Sequence, residues 1–231
     1  MTNPHVPTKT LRHLRLRPVA LSLVCLGLAP ALAQTLPSDF TSGGGIVGAP
    51  TTAPGVMTIT QGSPRAIANW SNFSIGTGGT VNVVQPGPAS ILLNRVMTNA
   101  PSVIDGALNA NGQVFIVNPF GVTFSKGSSV SVGGLVASTL DIDDAAFMGG
   151  STQFKFTRTG DSAAVVNRGR IVAADGGTVA LLGASVTNEA STNVARGSAG
   201  LVSGGSVTVD FNGDGITTFT IPAGSKATQA L

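Results

Sequence analysis

The amino-acid sequence predicts an all-β protein, and three observations carry that prediction. Short runs of Val, Ile, Leu, Phe and Thr are cut by Gly, Asn, Asp and Pro, which is the pattern of strands and turns. Apolar residues do not recur at the three- and four-residue spacing of an amphipathic helix. Weak self-similarity at a period in the twenties indicates a solenoid, here a parallel β-helix. The strand pattern is equally compatible with a β-sandwich.

The strand predictions follow the apolar runs in chain order. The Gly-, Pro- and Thr-rich segment from Gln34 to about Ser63 is predicted to cap one end of the fold. A single helical turn is predicted at Ala145–Met148, after a cluster of acidic residues. The predicted strands are Thr80–Val84, Ser90–Leu93, Gln113–Val117, Val122–Phe124, Ser129–Val132, Gln153–Thr157, Thr178–Leu182 and Ser206–Phe211.

Two internal repeats favour the solenoid. Val165–Asn167 recurs 21 residues later as Val186–Asn188, and Gly176–Val179 recurs 28 residues later as Gly204–Val207. In a solenoid, each coil buries its inward side chains only by stacking on its neighbours. We therefore expect ladders of Val, Ile, Leu and Ala inside, and stacked Asn side chains at the turns.

The first 33 residues have the three parts of a secretory signal peptide. A basic start is followed by the apolar run Pro18–Leu32 and by Ala31–Ala33, an A-x-A cleavage site. The apolar run is shorter than the roughly 20 residues of a membrane-spanning helix. Cleavage is therefore predicted between Ala33 and Gln34. Residues 34–221 are expected to form the folded domain, and 222–231 a mobile polar tail.

Removal of the leader changes the charge and the available chemistry. The whole chain has a formal charge of +3, but residues 34–231 contain nine basic and ten acidic residues. Cys25, His5 and His13 all lie in the leader. Cysteine nucleophiles, Ser-His-Asp triads and His-ligated metals are therefore excluded from the mature chain. With nearly equal numbers of basic and acidic residues, the mature chain lacks the excess of positive charge that is typical of nucleic-acid-binding proteins. No enzymatic activity and no cofactor are predicted.

The most informative segment contains Asn118, Pro119, Phe120 and Gly121, which have the residue preferences of a type I turn. Asn at the first position can bond the backbone two residues on, and Pro at the second presets φ. From the residues alone, this is a well-made turn between two strands.

Several collinear motifs around that turn resemble the two-partner secretion domain, also called the filamentous haemagglutinin N-terminal or haemagglutination activity domain. That family reads Asn-Pro-Asn-Gly-Ile between an ANGQVF-like strand and a VGGLVAST-like strand. This chain matches at Ala110–Phe115, at Asn118, Pro119, Gly121 and, conservatively, Val122, and at Val132–Thr139. Further matching positions are Asn69, Trp70, Phe73, Asn94, Arg95, Asn111, Gly112, Gly133 and Gly134.

The resemblance implies a right-handed parallel β-helix with an N-terminal cap and small extra-helical strands. It also implies a role as the secretion signal of an adhesin-like exoprotein of a Gram-negative bacterium. The partner would be an outer-membrane β-barrel transporter, whose periplasmic POTRA repeats recognise the domain. The protein would cross the periplasm and become secreted or cell-surface bound.

One residue departs from the family pattern. Phe120 stands where the family usually has Asn. A type I turn accepts most residues at its third position, so the turn is expected to survive. Phe120 could bury against the cap, or it could offer the transporter an apolar contact.

Two acidic segments are weaker candidates for sites. Asp210–Gly215 matches the first half of an EF-hand loop, but Ile221 occupies the position of the bidentate Glu, and the flanks read as strands. A Gly-rich turn is the better interpretation. Asp141, Asp143 and Asp144 could serve glycoside hydrolysis, but scattered basic residues favour a solvated loop.

Two other functions remain open from the sequence. The first is a stand-alone adhesin or surface-binding β-solenoid, with host-cell or surface glycans as partners. The second, from another class, is a carbohydrate-active β-helix enzyme.

Overall fold

The chain winds as a right-handed parallel β-helix, which decides between solenoid and sandwich. The computed structural model describes residues 35–211, 217–222 and 229–230. Three parallel sheets, here called sheets 1 to 3, run along the solenoid axis. One passage of the chain through all three sheets is one coil. A fourth, antiparallel layer, the outer layer, packs against the outside of sheet 2.

Strands from successive coils build each sheet. Sheet 1 contains β2 (Thr51–Ala53), the first half of β3 (Val56–Trp70), β4 (Thr80–Val84), β7 (Ala107–Ala110), β10 (Ser129–Val132), β15 (Arg170–Ala173) and β18 (Thr192–Val194). Sheet 2 contains β1 (Thr41–Val47), the second half of β3, β5 (Ile91–Val96), β8 (Gln113–Val117), β11 (Gly134–Ser138), β16 (Thr178–Gly183) and β19 (Ser198–Ser203). Sheet 3 contains β6 (Ser102–Ile104), β9 (Val122–Phe124), β14 (Ala164–Asn167), β17 (Ser185–Asn188) and β22 (Gln229–Ala230). The outer layer contains β12 (Asp141–Ile142), α1 (Asp144–Met148), β13 (Gln153–Thr157), β20 (Ser206–Phe211) and β21 (Thr217–Thr220).

The first coil differs from those that follow. β3 is 15 residues long and passes through sheets 1 and 2 without a turn. Its first half pairs with β4, where Thr60 meets Val84, and its second half pairs with β5, where Arg65 meets Ile91. Every later described coil breaks between sheet 1 and sheet 2. We call this break the 1–2 corner, and the break between sheets 2 and 3 the 2–3 corner.

Side chains that point into the solenoid form aliphatic columns, the inner core. In sheet 2, Leu92 pairs with Val114 and Val114 with Leu135, and all three are fully buried. Burial of such a side chain stabilises the fold by about 1.5–3 kcal/mol. Each coil gains this only from a neighbouring coil, which is why the chain must stack. The predicted inward ladders are confirmed.

The opposite face of sheet 2 is buried as well, in the outer core. Leu93, Phe115 and Val136 point away from the solenoid and contact the outer layer. The ring of Phe115 lies 6.0 Å from that of Phe147 in α1 and 5.3 Å from that of Phe154 in β13. Because both faces are covered, the strands of sheet 2 read as continuous apolar runs rather than as alternating ones.

α1 is short, and its two ends are held by specific groups. The Asp143 side chain caps its N-terminus by accepting a hydrogen bond of 2.8 Å from the Ala146 N–H. Arg65 donates to the backbone carbonyls of Phe147 and Ser151, each at 2.6 Å. Its guanidinium lies 5.0 Å from the centre of the Phe154 ring, and burial lowers the pKa of Arg65. The predicted helical turn at Ala145–Met148 is confirmed.

Most strand predictions are confirmed with their bounds, but two interpretations are wrong. The predicted cap extends too far: β1 and β2 pair antiparallel with β3, whereas the parallel coils already begin at Val56. The repeat of Val165–Asn167 is real, since these residues pair in register with Val186–Asn188. The second repeat is coincidental, because Val179 pairs with Ala199 whereas Val207 belongs to the outer layer.

The predicted signal-peptide cleavage site and the predicted C-terminal tail lie wholly or partly outside the described residues. The cleavage site at Ala33 and Gln34 lies outside the described residues. Within the segment 222–231, Gln229–Ala230 forms β22, which pairs in parallel with β17. Among the described residues, no helix has the length and apolarity to cross a membrane.

Candidate functional site

The Asn118–Gly121 turn connects β8 to β9 at the 2–3 corner. The Gly121 N–H donates to the Asn118 carbonyl at 3.1 Å, which closes the predicted four-residue turn. The Phe120 N–H donates to Asn118 Oδ1 at 3.0 Å, the predicted side-chain bond to the backbone two residues on. Gly121 has φ of 119°, a conformation that L side chains rarely adopt.

Asn118 also joins three coils, which the sequence did not indicate. Its side chain is fully buried, and Nδ2 donates to the Ala100 carbonyl at 2.9 Å and to Ser102 Oγ at 3.0 Å, both in the preceding coil. Its backbone N–H donates to the Ser138 carbonyl, in the following coil, at 2.9 Å. Removal of this side chain would leave buried polar groups unpaired, at a cost of about 1–3 kcal/mol each.

The other positions of the motif divide between core and surface. Val122 is fully buried in the inner core, and Pro119 accepts a hydrogen bond of 2.9 Å from the Ala163 N–H. Phe120 is 43% exposed, so it does not bury against the cap. It is the one large apolar side chain that the motif presents to solvent.

A second group of matched residues lies where β3 and β5 meet. Trp70 and Phe73 are buried, and their ring centroids are 5.5 Å apart. The Trp70 Nε1–H donates to Asn94 Oδ1 at 3.1 Å, and Asn94 Nδ2 donates to the Phe115 carbonyl at 3.3 Å. The fully buried Asn94 therefore bridges three coils. Asn69 lies next to Trp70, and its buried Oδ1 accepts no hydrogen bond from the described residues.

Arg95 anchors the outer layer to sheet 2. It forms an ion pair with Asp141, donates to Asp144 Oδ1 at 2.6 Å and donates to the Ile142 carbonyl at 2.6 Å. The side chain of Arg95 is 12% exposed. Arg95, which lies in the second coil, thus binds three acceptors at the start of the outer layer: Asp141, Ile142 and Asp144.

The carboxylates of the acidic cluster are each bound to another group, although those of Asp143 and Asp144 remain exposed. Asp141 and Asp144 are engaged by Arg95, and Asp143 caps α1. The predicted solvent exposure holds for Asp143 and Asp144, but the segment forms β12 and the start of α1 rather than a loop. Its cation comes from β5, since Arg95 precedes Asp141 by 46 residues. No group of three metal-ligating side chains converges among the described residues. The EF-hand-like segment falls mostly on residues 212–216, outside the described part.

Matched residues of a third group lie at the 1–2 corner. The Gly133 N–H donates to the Gly112 carbonyl at 2.7 Å, and a Cβ on Gly133 would lie 2.7 Å from that oxygen. A Cβ on Gly177 would lie 2.2 Å from the Gly133 carbonyl oxygen, and one on Gly197 would lie 2.0 Å from that of Gly177. These glycines form a column because stacked backbones leave no room for a side chain. Gly134, next in the chain, begins β11.

The same corner contains an amide ladder, buried at Gln61 and Gln85, that sequence reasoning missed. Gln85 Nε2 donates to Gln61 Oε1 at 2.9 Å, and Gln85 Oε1 accepts from the Gly112 N–H at 2.9 Å. Asn111 exchanges two hydrogen bonds of 2.8 Å with the backbone of Gln85. Gln61, Gln85 and Asn111 follow each other at intervals of 24 and 26 residues. That spacing, once per coil, is the signal that would have predicted the ladder.

Many of the family-matching positions hold one coil to the next, whereas Arg95 holds the outer layer and Phe120 is exposed. Asn167 and Asn188, the last residues of β14 and β17, bond side chain to side chain at 2.7 Å, which confirms the predicted Asn stacking at strand ends. A second pair, Asn82–Asn109 at 3.0 Å, lies within β4 and β7 rather than at turns.

Residues 34–230 match the family model described as the TPS secretion domain. The fold is similar to the crystal structure of the HMW1 secretion domain from Haemophilus influenzae, with a TM-score of 0.75 and 31% sequence identity. The match covers 84% of this chain and 51% of that one. The crystal structure of a filamentous hemagglutinin secretion domain shares the fold, with a TM-score of 0.50 and 16% identity over 85% of this chain and 73% of that one.

Two full-length relatives from Haemophilus influenzae, both named heme/hemopexin-binding protein, are similar over part of the chain. One is 34% identical over 145 residues and the other 37% identical over 116 residues. These matches cover 63% and 50% of this chain but only 15% and 13% of the relatives. The similarity therefore concerns one segment of much longer proteins.

Proposed function

Because the chain belongs to the TPS secretion domain family, we propose that it is the secretion signal of an adhesin-like exoprotein. The observation that carries this proposal is the family match over residues 34–230. The family consists of secretion domains rather than enzymes, and its exoproteins leave Gram-negative bacteria through the outer membrane. In the proposal, the POTRA repeats of a partner outer-membrane transporter recognise this chain in the periplasm.

The composition of the chain supports passage through a pore. Residues 34–231 contain no Cys, so no disulfide can lock the chain before export. Charged residues are few, which limits the number of ionic groups that lose water during passage. Short extended segments can add to an exposed sheet edge of the transporter's periplasmic repeats by strand addition. Stacking of coils outside the cell then buries apolar side chains and opposes return.

The names of the two full-length relatives suggest a second function, but this chain offers little support for it. Heme iron is commonly held by His, Cys, Met or Tyr side chains. Residues 34–231 contain no His, Cys or Tyr, and their three Met residues (Met57, Met97 and Met148) lack the His that accompanies a Met ligand in cytochromes c. We therefore do not extend heme binding from the relatives to this chain.

The proposal is tested by co-expressing the chain with its candidate transporter and measuring the chain in the culture medium. We expect export with the transporter and retention in the periplasm without it. Equal export in both strains, or retention in both, would contradict the proposed function.

A matched pair of variants separates recognition from folding. Asn118 and Asn167 are both fully buried, and each accepts a hydrogen bond of 3.0 Å from the N–H two residues on. They differ in position, since Asn118 lies in the family motif and Asn167 in sheet 3 of a later coil. We expect Asn118→Ala to reduce export at least fivefold more than Asn167→Ala when both are equally destabilised in urea. Equal export of the two variants would show that the motif acts only through stability.

A further inference from the structure

The outer layer is assembled from two segments that lie far apart in the chain. β13 and β20 pair antiparallel over five residues, from Gln153 opposite Asp210 to Thr157 opposite Ser206. Between these two strands the chain passes twice through sheets 3, 1 and 2, in β14 to β19. The pairing of β13 with β20 therefore depends on the return of the chain to the outer layer after those coils.

β20 is the main attachment of the described segment that it begins. Its side chains Val207 and Val209 are fully buried in the outer core. The ring centroid of Phe211 lies 6.0 Å from that of Phe115 and 5.6 Å from that of Phe154. β21 pairs with β20, and β22 adds only two residue pairs, to β17.

The connection between β19 and β20 is very short. β19 ends at Ser203 and β20 begins at Ser206, so that only two glycines separate the strands. β19 lies in sheet 2 and β20 in the layer that covers it, and packed β-layers lie about 10 Å apart. Three residue steps of a fully extended chain reach about 10–11 Å. The chain is therefore nearly taut where it crosses from sheet 2 to the outer layer.

A taut connection of this kind favours the exchange of a strand between two molecules. In the closed chain, the connection bends β20 back onto the sheet that it has just left. If the connection straightens instead, β20 points away from its own β13 and can pair with the β13 of a second copy. The β13 edge of that copy is identical, so the five residue pairs of β20 and its buried contacts are all reproduced. Only the connection differs, and short strained connections promote such exchange.

We propose that a second copy of this chain binds through β13, in a dimer in which the two molecules exchange β20. Each molecule contributes one β13 edge and one β20 strand, so the contact is closed and symmetric. A tethered β20 competes with the second copy at an effective concentration of about 1 mM. Exchange is therefore expected when the chain folds at a comparable concentration, before its own outer layer has closed. This proposal does not rest on the secretion function.

The test is refolding from urea of the chain purified without its predicted leader, at about 5 µM and at about 1 mM. Size-exclusion chromatography with light scattering measures the fraction of dimer. Because residues 34–231 contain no Cys, the contact can be trapped by a disulfide. Two single variants are mixed, Lys155→Cys and Thr208→Cys, whose positions face each other in β13 and β20. The matched control mixes Asn109→Cys and Ser131→Cys, whose positions face each other in neighbouring coils of sheet 1.

We expect a monomer at the lower concentration and a dimer at the higher one. After oxidation, the first mixture should contain a disulfide between molecules that joins the substituted positions of β13 and β20, and the control mixture should contain none. Insertion of Gly-Ser-Gly between Gly204 and Gly205 relieves the taut connection and should lower the dimer fraction about fivefold or more. The same insertion after Gly87, where no atom lies within 4 Å of an added Cβ, should leave the dimer fraction unchanged.

A monomer at both concentrations would overturn the proposal. A dimer that forms no disulfide between β13 of one molecule and β20 of the other would reveal a different contact and would also overturn it. The same holds for an equal loss of dimer in the two insertion variants, or for no loss in either.

Discussion

The inner core and the outer core share sheet 2 but are built in different ways. The inner core is made of aliphatic columns, in which Leu92, Val114 and Leu135 repeat the same position in successive coils. The outer core is aromatic, and Phe115 is surrounded by Phe147, Phe154 and Phe211 within about 6 Å, at 6.0, 5.3 and 6.0 Å between ring centroids. The inner core thus repeats the same contacts from coil to coil, whereas the contacts of the outer core occur once.

The difference teaches how the two cores depend on the chain. An inner contact joins a residue to the next coil, whereas the outer core joins distant segments: the bond from Arg65 to Ser151 spans 86 residues. β13 gains its partner β20 only when residues 206–211 are present. Long loops add closure entropy and slow folding. We therefore expect the inner core to form coil by coil, and the outer core to close last.

The largest effect is expected from truncation of an aromatic residue in the outer core. Phe154 is 2% exposed, so Phe154→Ala should lower the free energy of unfolding of the outer layer by about 3–5 kcal/mol. Hydrogen exchange followed by mass spectrometry should show faster exchange at 141–157 and 206–211. Amides within the solenoid should keep their protection, because their hydrogen bonds lie between coils.

The matched inner-core variant is Leu92→Ala, with an expected cost of about 2–5 kcal/mol. It should raise exchange in β3, β5 and β8 together with the outer layer, which rests on sheet 2. Identical exchange patterns for the two variants would show that the two cores unfold as one unit, and the comparison would fail.

A smaller effect is expected from a methyl group placed in the glycine column. A Cβ on Gly133 would lie 2.7 Å from the carbonyl oxygen of Gly112, and the backbone of a neighbouring coil cannot move away cheaply. Gly133→Ala should cost about 1–3 kcal/mol, measured by urea denaturation. Gly87→Ala is the control, because no atom lies within 4 Å of its added Cβ. A Gly133→Ala protein as stable as Gly87→Ala would show that coils have freedom to separate.

The smallest change in stability is expected in a comparison of two ion pairs, one largely buried and one exposed. Arg95→Met removes the largely buried cation that holds Asp141 and Asp144, and should cost about 1–3 kcal/mol. Arg168→Met removes a pair with Glu189 whose side chains are 52% and 50% exposed, and should leave the unfolding midpoint almost unchanged, because exposed ion pairs contribute little to stability. The stability of both variants and of the parent chain is measured by thermal denaturation at low salt and at 1 M salt, because salt screens exposed ion pairs more than buried ones. Equal losses would show that Arg95 contributes no more than a surface cation.

Sequence reasoning succeeded where a local pattern determines the structure. The turn at Asn118 and Pro119 depends on the preferences of adjacent residues, and the strand β8 on one apolar run. The aliphatic columns follow from the same rule, since each coil repeats the same inward positions. The resemblance to a known family added the handedness and the extra-helical strands.

What the sequence did not indicate depends on contacts between distant segments. The pairing of Arg95 with Asp141 and the packing of Phe154 on Phe115 join residues that no periodicity relates. The cap was placed too far along the chain because Gly62 and Pro64 are typical of a break, whereas β3 continues through both of them as one strand. Gln85 was overlooked because a single amide in an apolar run carries no signal until its partner in the next coil is known.

The antiparallel pairing of β1 with β3 has a consequence for self-association. Its register shifts twice, between Ser42 and Gly44 and between Gly45 and Val47. Irregular edges of this kind resist pairing with a further strand. The last coil of another molecule would need a straight, parallel edge in order to continue the stack. β1 therefore leaves sheet 2 with an irregular edge at this end of the solenoid, which disfavours the addition of a strand from a second molecule.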